Sequence, residues 1–196
     1  MRHVFLDVET QKSFEEVGGY LPAQLQISFV GICVRDGFSG EGEFQGFFEK
    51  DLPKLWPILE TADVIVGFNI TDFDMEALRP YYSGDVEKLN VLDLLTRFKQ
   101  SMGHRISLDA IAQETLGKAK TADGLQAIKF FRNGQMRELA EYCLQDVAIT
   151  RDIYDHGRRH NQVKFVNKWS RSIEAKVDFS YTPQNFGGVQ MTLMGV

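Results

Sequence analysis

Two carboxylates one residue apart, Asp7 and Glu9, close an apolar run, Val4-Phe5-Leu6, in the stretch Leu6-Asp7-Val8-Glu9-Thr10. On an extended strand, residues two apart point to the same face. The spacing therefore sets two like charges side by side where a buried strand ends. Such a pair repels, and one member is driven towards its neutral form unless a cation joins them. Carboxylate oxygens suit a hard divalent ion, Mg²⁺ or Mn²⁺, better than Zn²⁺. Alone, the triplet also fits a solvated strand end or the start of a turn. What separates these readings is whether later acids can reach the same point.

Two later stretches offer them. Gly67-Phe68-Asn69-Ile70-Thr71-Asp72-Phe73-Asp74 follows a short buried strand, 64–68. In α/β sheets, functional groups gather beyond the carboxyl ends of parallel strands. Asp74 falls in the first turn of the next helix, where an acid is favoured by the helix dipole. Asp72 is the plainer capping candidate, and chemistry alone does not choose between them. The third stretch is Tyr142-Cys143-Leu144-Gln145-Asp146, within a long helix. Tyr142 and Asp146 are four apart and share a face, bordering an apolar stripe of Leu139, Cys143 and Val147. A tyrosine hydroxyl meeting a carboxylate at an amphipathic boundary gives the same pattern. Taken together, Asp7, Glu9, Asp74 and Asp146 form the kind of cluster that holds two ions ~3.5–4 Å apart for phosphoryl transfer.

The elements that must position these groups follow from periodicity and turn residues. Residues 24–35 alternate and are rich in Ile, Val and Phe, and 43–48 is a third strand, so short loops join three strands into an antiparallel meander. A loop with an acidic patch, Glu15-Glu16, spans 11–23. A helix is expected over 52–62, with Asp51 as cap and Pro53 in its first turn. A helix is expected over 73–82 and a strand end at 90–93, where Asp93 reads as a helix cap. Helices follow over 94–101, 107–116, 125–131 and 135–159, then a hairpin of 165–166 and 173–179. Residues 182–196 show little periodicity and read as a tail. This order fits an α/β fold with a mixed five-stranded sheet flanked by helices, the first, fourth and fifth strands parallel.

The chain has 196 residues, 43% hydrophobic and 25% charged, which suits one domain with a sizeable core. No apolar run is long enough to span a membrane and no secretory signal is present, so a cytoplasmic location with no membrane partner is expected. Cys33 and Cys143 lie far apart. A bridge between them and two buried free thiols both fit the sequence, and a reducing cytoplasm favours the thiols. The net charge of −5 argues mildly against broad non-specific nucleic-acid binding. Charge is uneven, however. Residues 1–50 carry four basic and eight acidic side chains, whereas 151–176 carry seven basic and three acidic. The basic region suits phosphate binding and equally suits a solvated helix end.

With these motifs in place, the chain resembles the DEDDy branch of the DEDD 3′–5′ exonucleases, proteins of RNase H-like fold. The exonuclease domains of family-B DNA polymerases and stand-alone bacterial exonucleases are similar to it. Asp7, Glu9 and Thr10 match the first family motif. Asn69, Phe73 and Asp74 match the second, which selects Asp74 over Asp72. Tyr142 and Asp146 match the third. The segment from Ser107-Leu108 through Leu116-Gly117, with Lys120 beyond, also resembles the family's helical stretch. The resemblance spans about residues 3–160, with 161–196 as a C-terminal hairpin and tail extension of the same domain.

The resemblance implies that Asp7, Glu9, Asp74 and Asp146 hold two Mg²⁺ or Mn²⁺ ions, with Asp7 bridging them. Tyr142 would orient the attacking water, since tyrosines, with an ordinary pKa of about 10, are poor bases at neutral pH. Asn69 and Thr10 would position the 3′-terminal nucleotide. Phe73 would pack beneath its base or belong to the core. The implied partners are single-stranded DNA or RNA 3′ ends and, by analogy, a polymerase or helicase. The rival reading, an inactive RNase H-like module that binds nucleic acid or protein, is marked by loss of one or more acids. All four are present here.

Overall fold

The computed structural model describes residues 1–118, 124–167 and 169–183. The expected tail therefore lies outside the described residues from 184 onwards, as does Lys120. Five strands form the central sheet: β1 (Arg2–Thr10), β2 (Ile27–Asp36), β3 (Glu43–Phe48), β4 (Val64–Gly67) and β5 (Val91–Asp93). Their order is β3-β2-β1-β4-β5. β1 pairs antiparallel with β2 and parallel with β4, which pairs parallel with β5. This is the mixed sheet expected from the order of the elements.

β1, β2 and β4 are buried on both faces because helices cover both, whereas the edge strand β3 is largely exposed. On one face lie the short helices α1 (Trp56–Glu60) and α2 (Asp74–Leu78). There Val4, Leu6 and Val8 of β1 join Leu55, Trp56 and Leu78 in one core cluster. On the other lie α3 (Leu94–Met102), α4 (Leu108–Leu116), α5 (Gly124–Arg132) and the long α6 (Met136–His160). Phe5 and Cys33 face this layer, with Phe98, Ile111, Val147 and Tyr154. The period of two thus sends the odd-numbered residues of β1, Asp7 and Glu9 among them, towards α6. Gly31 is opposite Asp7 in the β1–β2 ladder. A Cβ at Gly31 would lie 2.9 Å from Cys143 Sγ and 3.2 Å from Val147, so the glycine permits the close approach of α6 to the sheet.

Two expected helices are shortened by proline. Residues 49–54 form a 3₁₀ turn, and the α-helix begins afresh at Trp56. Pro53 and Pro57 are four apart, so Pro57 has no N–H for the Pro53 carbonyl and its ring would strike it in a continuous helix. Asp51 does not cap that helix. It pairs with Lys54 at 2.8 Å. Likewise α2 stops at Leu78 and gives way to a 3₁₀ turn, 79–81, containing Pro80. β2 starts at Ile27, three residues later than expected, because 22–24 form a 3₁₀ turn and Gln26 adopts φ +58°. Both cysteines are buried and free.

After α6 the chain turns at Asn161 (φ +54°) into a two-stranded hairpin, β6 (Gln162–Val166) and β7 (Ser172–Lys176). It starts three residues earlier than the sequence suggests. Val163, Phe165 and Ala175 pack into the same core cluster as α4 and α6. The Thr115 hydroxyl of α4 donates to the Lys164 carbonyl at 2.7 Å and accepts from its N–H at 2.8 Å.

Candidate active site

The carboxyl end of β1 brings acids from three elements together. Asp7 and Glu9 project towards α6, where Cys143 meets them. One carboxylate oxygen from each acid and the Cys143 sulfur all lie within 4.8 Å of one another. The thiol donates weakly to the Asp7 carbonyl at 3.4 Å and to Asp7 Oδ2 at 3.5 Å. Burial pushes this thiol well up, and the charges of Asp7, Glu9 and Asp146 push it further. Cys143 thus carries a proton and feels acids from both β1 and α6. Asp146 is 3% exposed and Tyr142 5%, one helical turn earlier.

Asp74 comes from the start of α2 and is also buried. Burial raises its pKa well above 3.8, and the nearby Asp7 charge raises it again. Hydrogen bonds from its own N–H and from that of Val8 pull the other way. Val8 lies between Asp7 and Glu9, so Asp74 sits directly against the first motif. Asp72, the rival at this position, is exposed and lies 3.6 Å from Lys99. Asp7 thus has Glu9 and Cys143 on one side and Asp74 as a neighbour, and the Asp146 charge reaches Cys143 from the next turn of α6. The set is rich in hard oxygen ligands, with one protonated sulfur that suits such ions poorly. It fits divalent cations of the Mg²⁺ or Mn²⁺ type.

The three residues expected to touch a nucleotide are placed differently. Asn69 follows β4 in the left-handed region, φ +67°, which asparagine tolerates better than most residues. The Thr10 hydroxyl donates to the Lys12 carbonyl at 3.0 Å and so shapes the turn after β1. Phe73 is half-buried and meets Phe14 edge-on at 6.0 Å, and Phe14 stacks on Tyr20 at 4.7 Å. The loop after β1 thus folds onto the loop after β4 through aromatic rings, and the Tyr20 hydroxyl donates to the Asp72 carbonyl.

Asp93 does more than the cap it was expected to be. Its carboxylate accepts from Leu95 and Thr96 at the start of α3. It also accepts from the N–H groups of Asn69 at 3.0 Å and Thr71 at 3.3 Å. It therefore clamps the β4–α2 loop that delivers Asp74. Arg105, which belongs to none of the motifs, donates to Asn69 Oδ1 at 2.9 Å. Neither link has a local sequence signal. Each depends on β4 and β5 lying side by side.

A family model of the RNase_H superfamily, RNase_H_2, matches residues 4–157. The chain belongs to that superfamily. Among solved structures it is similar to the family B DNA polymerase of the hyperthermophilic archaeon Pyrobaculum calidifontis, at TM-score 0.58 and 16% identity. The match covers 81% of this chain and 24% of the polymerase, a likeness of fold. Comparison with curated proteins finds no match. Among the described residues no helix is long and apolar enough to cross a membrane.

Proposed function

We propose that this protein is a metal-dependent 3′–5′ exonuclease of the DEDDy type, releasing nucleoside monophosphates from single-stranded DNA or RNA. One observation carries the reading. Asp7, Glu9 and Asp74 cluster at the carboxyl end of β1 in an RNase H-like sheet, and α6 brings Cys143 against them with buried Asp146 and Tyr142 on the adjoining turns.

Asp7, Glu9, Asp74 and Asp146 would hold two Mg²⁺ or Mn²⁺ ions. When bound, such ions lower the pKa of an attacking water and stabilise the leaving oxygen of a phosphodiester. Asp7 neighbours both Asp74 and the Glu9–Cys143 side of the site, and would help to hold both cations. Cys143 holds Asp7 from beneath with a weak S–H donor, and Val8 N–H holds Asp74. Asp93 fixes the loop carrying Asn69 and Asp74, so the second motif is preorganised against the first. Tyr142 orients water at the cluster with its hydroxyl. Asn69, Thr10 and the Phe14–Phe73 edge shape the place of the terminal nucleotide.

The test is degradation of 3′- and 5′-labelled single-stranded DNA and RNA with Mn²⁺ or Mg²⁺. The 3′ label is expected to leave first as a mononucleotide while 5′-labelled products shorten stepwise. A wild-type protein inert on all four substrates with both metals removes the exonuclease reading and leaves a binding module.

A further inference from the structure

A second concave site lies beside the first. The α3–α4 connection and the β6–β7 hairpin enclose a groove of about 700 Å³, lined by Ile106, Phe165, Ile173, Arg105 and Trp169 among others. Ile106 and Phe165 are buried and form its apolar floor, whereas Trp169 is 68% exposed. Arg105 joins this groove to the acids. Its guanidinium donates to Asn69, whose N–H is held by Asp93, and the Asp93 charge is felt by Asp74. Among the described residues Arg105 has no carboxylate partner within ion-pair distance. Lys164 and Lys176 stand on the face of the hairpin opposite Phe165, and Lys164 pairs with Glu174 at 3.3 Å, so Arg105 supplies the positive charge of the groove. An apolar floor, an exposed indole and a guanidinium suit an unpaired strand, with a base stacked and a phosphate neutralised.

We propose that this groove binds the single strand on the 5′ side of the scissile bond, with a base stacked on Trp169 and a phosphate against Arg105. This rests on the exonuclease reading and adds to it a track formed by the hairpin.

The test compares wild type with Trp169→Ala on ten-nucleotide and two-nucleotide oligomers, of thymidine or uridine, whichever wild type degrades. Trp169 is exposed, so the variant keeps its core. KM for the ten-mer should rise about 5- to 100-fold, the scale of losing one stacked base. Its kcat should hold, and cleavage of the two-mer should not change. Equal KM values for the ten-mer in the two proteins overturn the proposal and leave the nuclease reading intact. If wild type cleaves neither oligomer, the nuclease reading has failed separately, and anisotropy of labelled ten-mers then tests the groove. A matching loss of affinity in Trp169→Ala supports it. Equal affinity, or no binding by wild type, overturns it and points to a protein segment as the occupant.

Discussion

Near the start of β1, Arg35 of β2 is buried and lies 2.6 and 2.7 Å from the two carboxylate oxygens of Asp155 on α6. Asp155 raises the Arg35 pKa, and His3 beside it is pushed down by burial and by the Arg35 charge. At the far end of β1, α6 again meets the sheet over buried charge, but the neighbours that move Asp74 are Asp7 and Asp93. The same elements thus neutralise charge internally at one end and gather like charges at the other. Opposite charges in contact contribute to the fold, whereas clustered acids disfavour their own ionised forms and favour a bound cation. One end is built for stability, and the other is the end proposed for chemistry.

The largest expected effect falls at the acid end. Asp7→Ala should lower phosphodiester cleavage by at least about 10³-fold, the scale of removing a group that stabilises transition-state charge, and leave Tm in metal-free buffer unchanged or raised. End-labelled assays and a thermal melt check both parts. The opposite pattern belongs to the ion-pair end. Asp155→Ala should cost about 2 kcal/mol, less than the 3–5 of fully buried pairs because Asp155 retains some exposure, and leave Mn²⁺ affinity intact. Urea denaturation and a metal titration measure these. An Asp155→Ala protein of unaltered stability would break the comparison.

A smaller effect is expected at Tyr142. Tyr142→Phe should lower kcat roughly 10- to 100-fold, the size of losing an orienting hydrogen bond at a metal site, with KM held. The smallest effect sharpens the contrast through pH. Below 3.8, the ordinary value for Asp74, the carboxyl is neutral in folded and unfolded chains alike. As pH rises from there the unfolded chain ionises first, so the folded state loses stability until its own raised pKa is passed. Asp74→Asn removes that loss. Metal-free Asp74→Asn should therefore melt a few degrees above wild type at neutral pH, about 1 kcal/mol by the usual scaling. The two should converge near pH 4, and saturating Mn²⁺ should reverse their order.

The sheet and the two carboxylates of β1 are legible because a period of two is a strong local signal and buried strands are short apolar runs. Asp74 is legible only through motif spacing, since Asp72 is equally plausible as a cap. Cys143 reads as core from its stripe, and it is core. Its place under Asp7 depends on Gly31 letting α6 approach, which no local pattern records. The Asp93 clamp and the Arg105–Asn69 contact depend on strand adjacency across 24 and 36 residues of sequence, so helix and turn rules do not reach them. The prolines were visible at 53, 57 and 80, and their spacing explains why two helices are shorter than their apolar periodicity suggests.

The central claim is that Asp7, Glu9, Asp74 and Asp146 form one site for divalent cations. The most direct measurement is a calorimetric titration of Mn²⁺ into metal-free wild type and Asp7→Ala. Two ions per chain are expected for wild type, with the variant losing at least one of them. No binding by wild type, or the same stoichiometry and affinity in both proteins, would contradict the account.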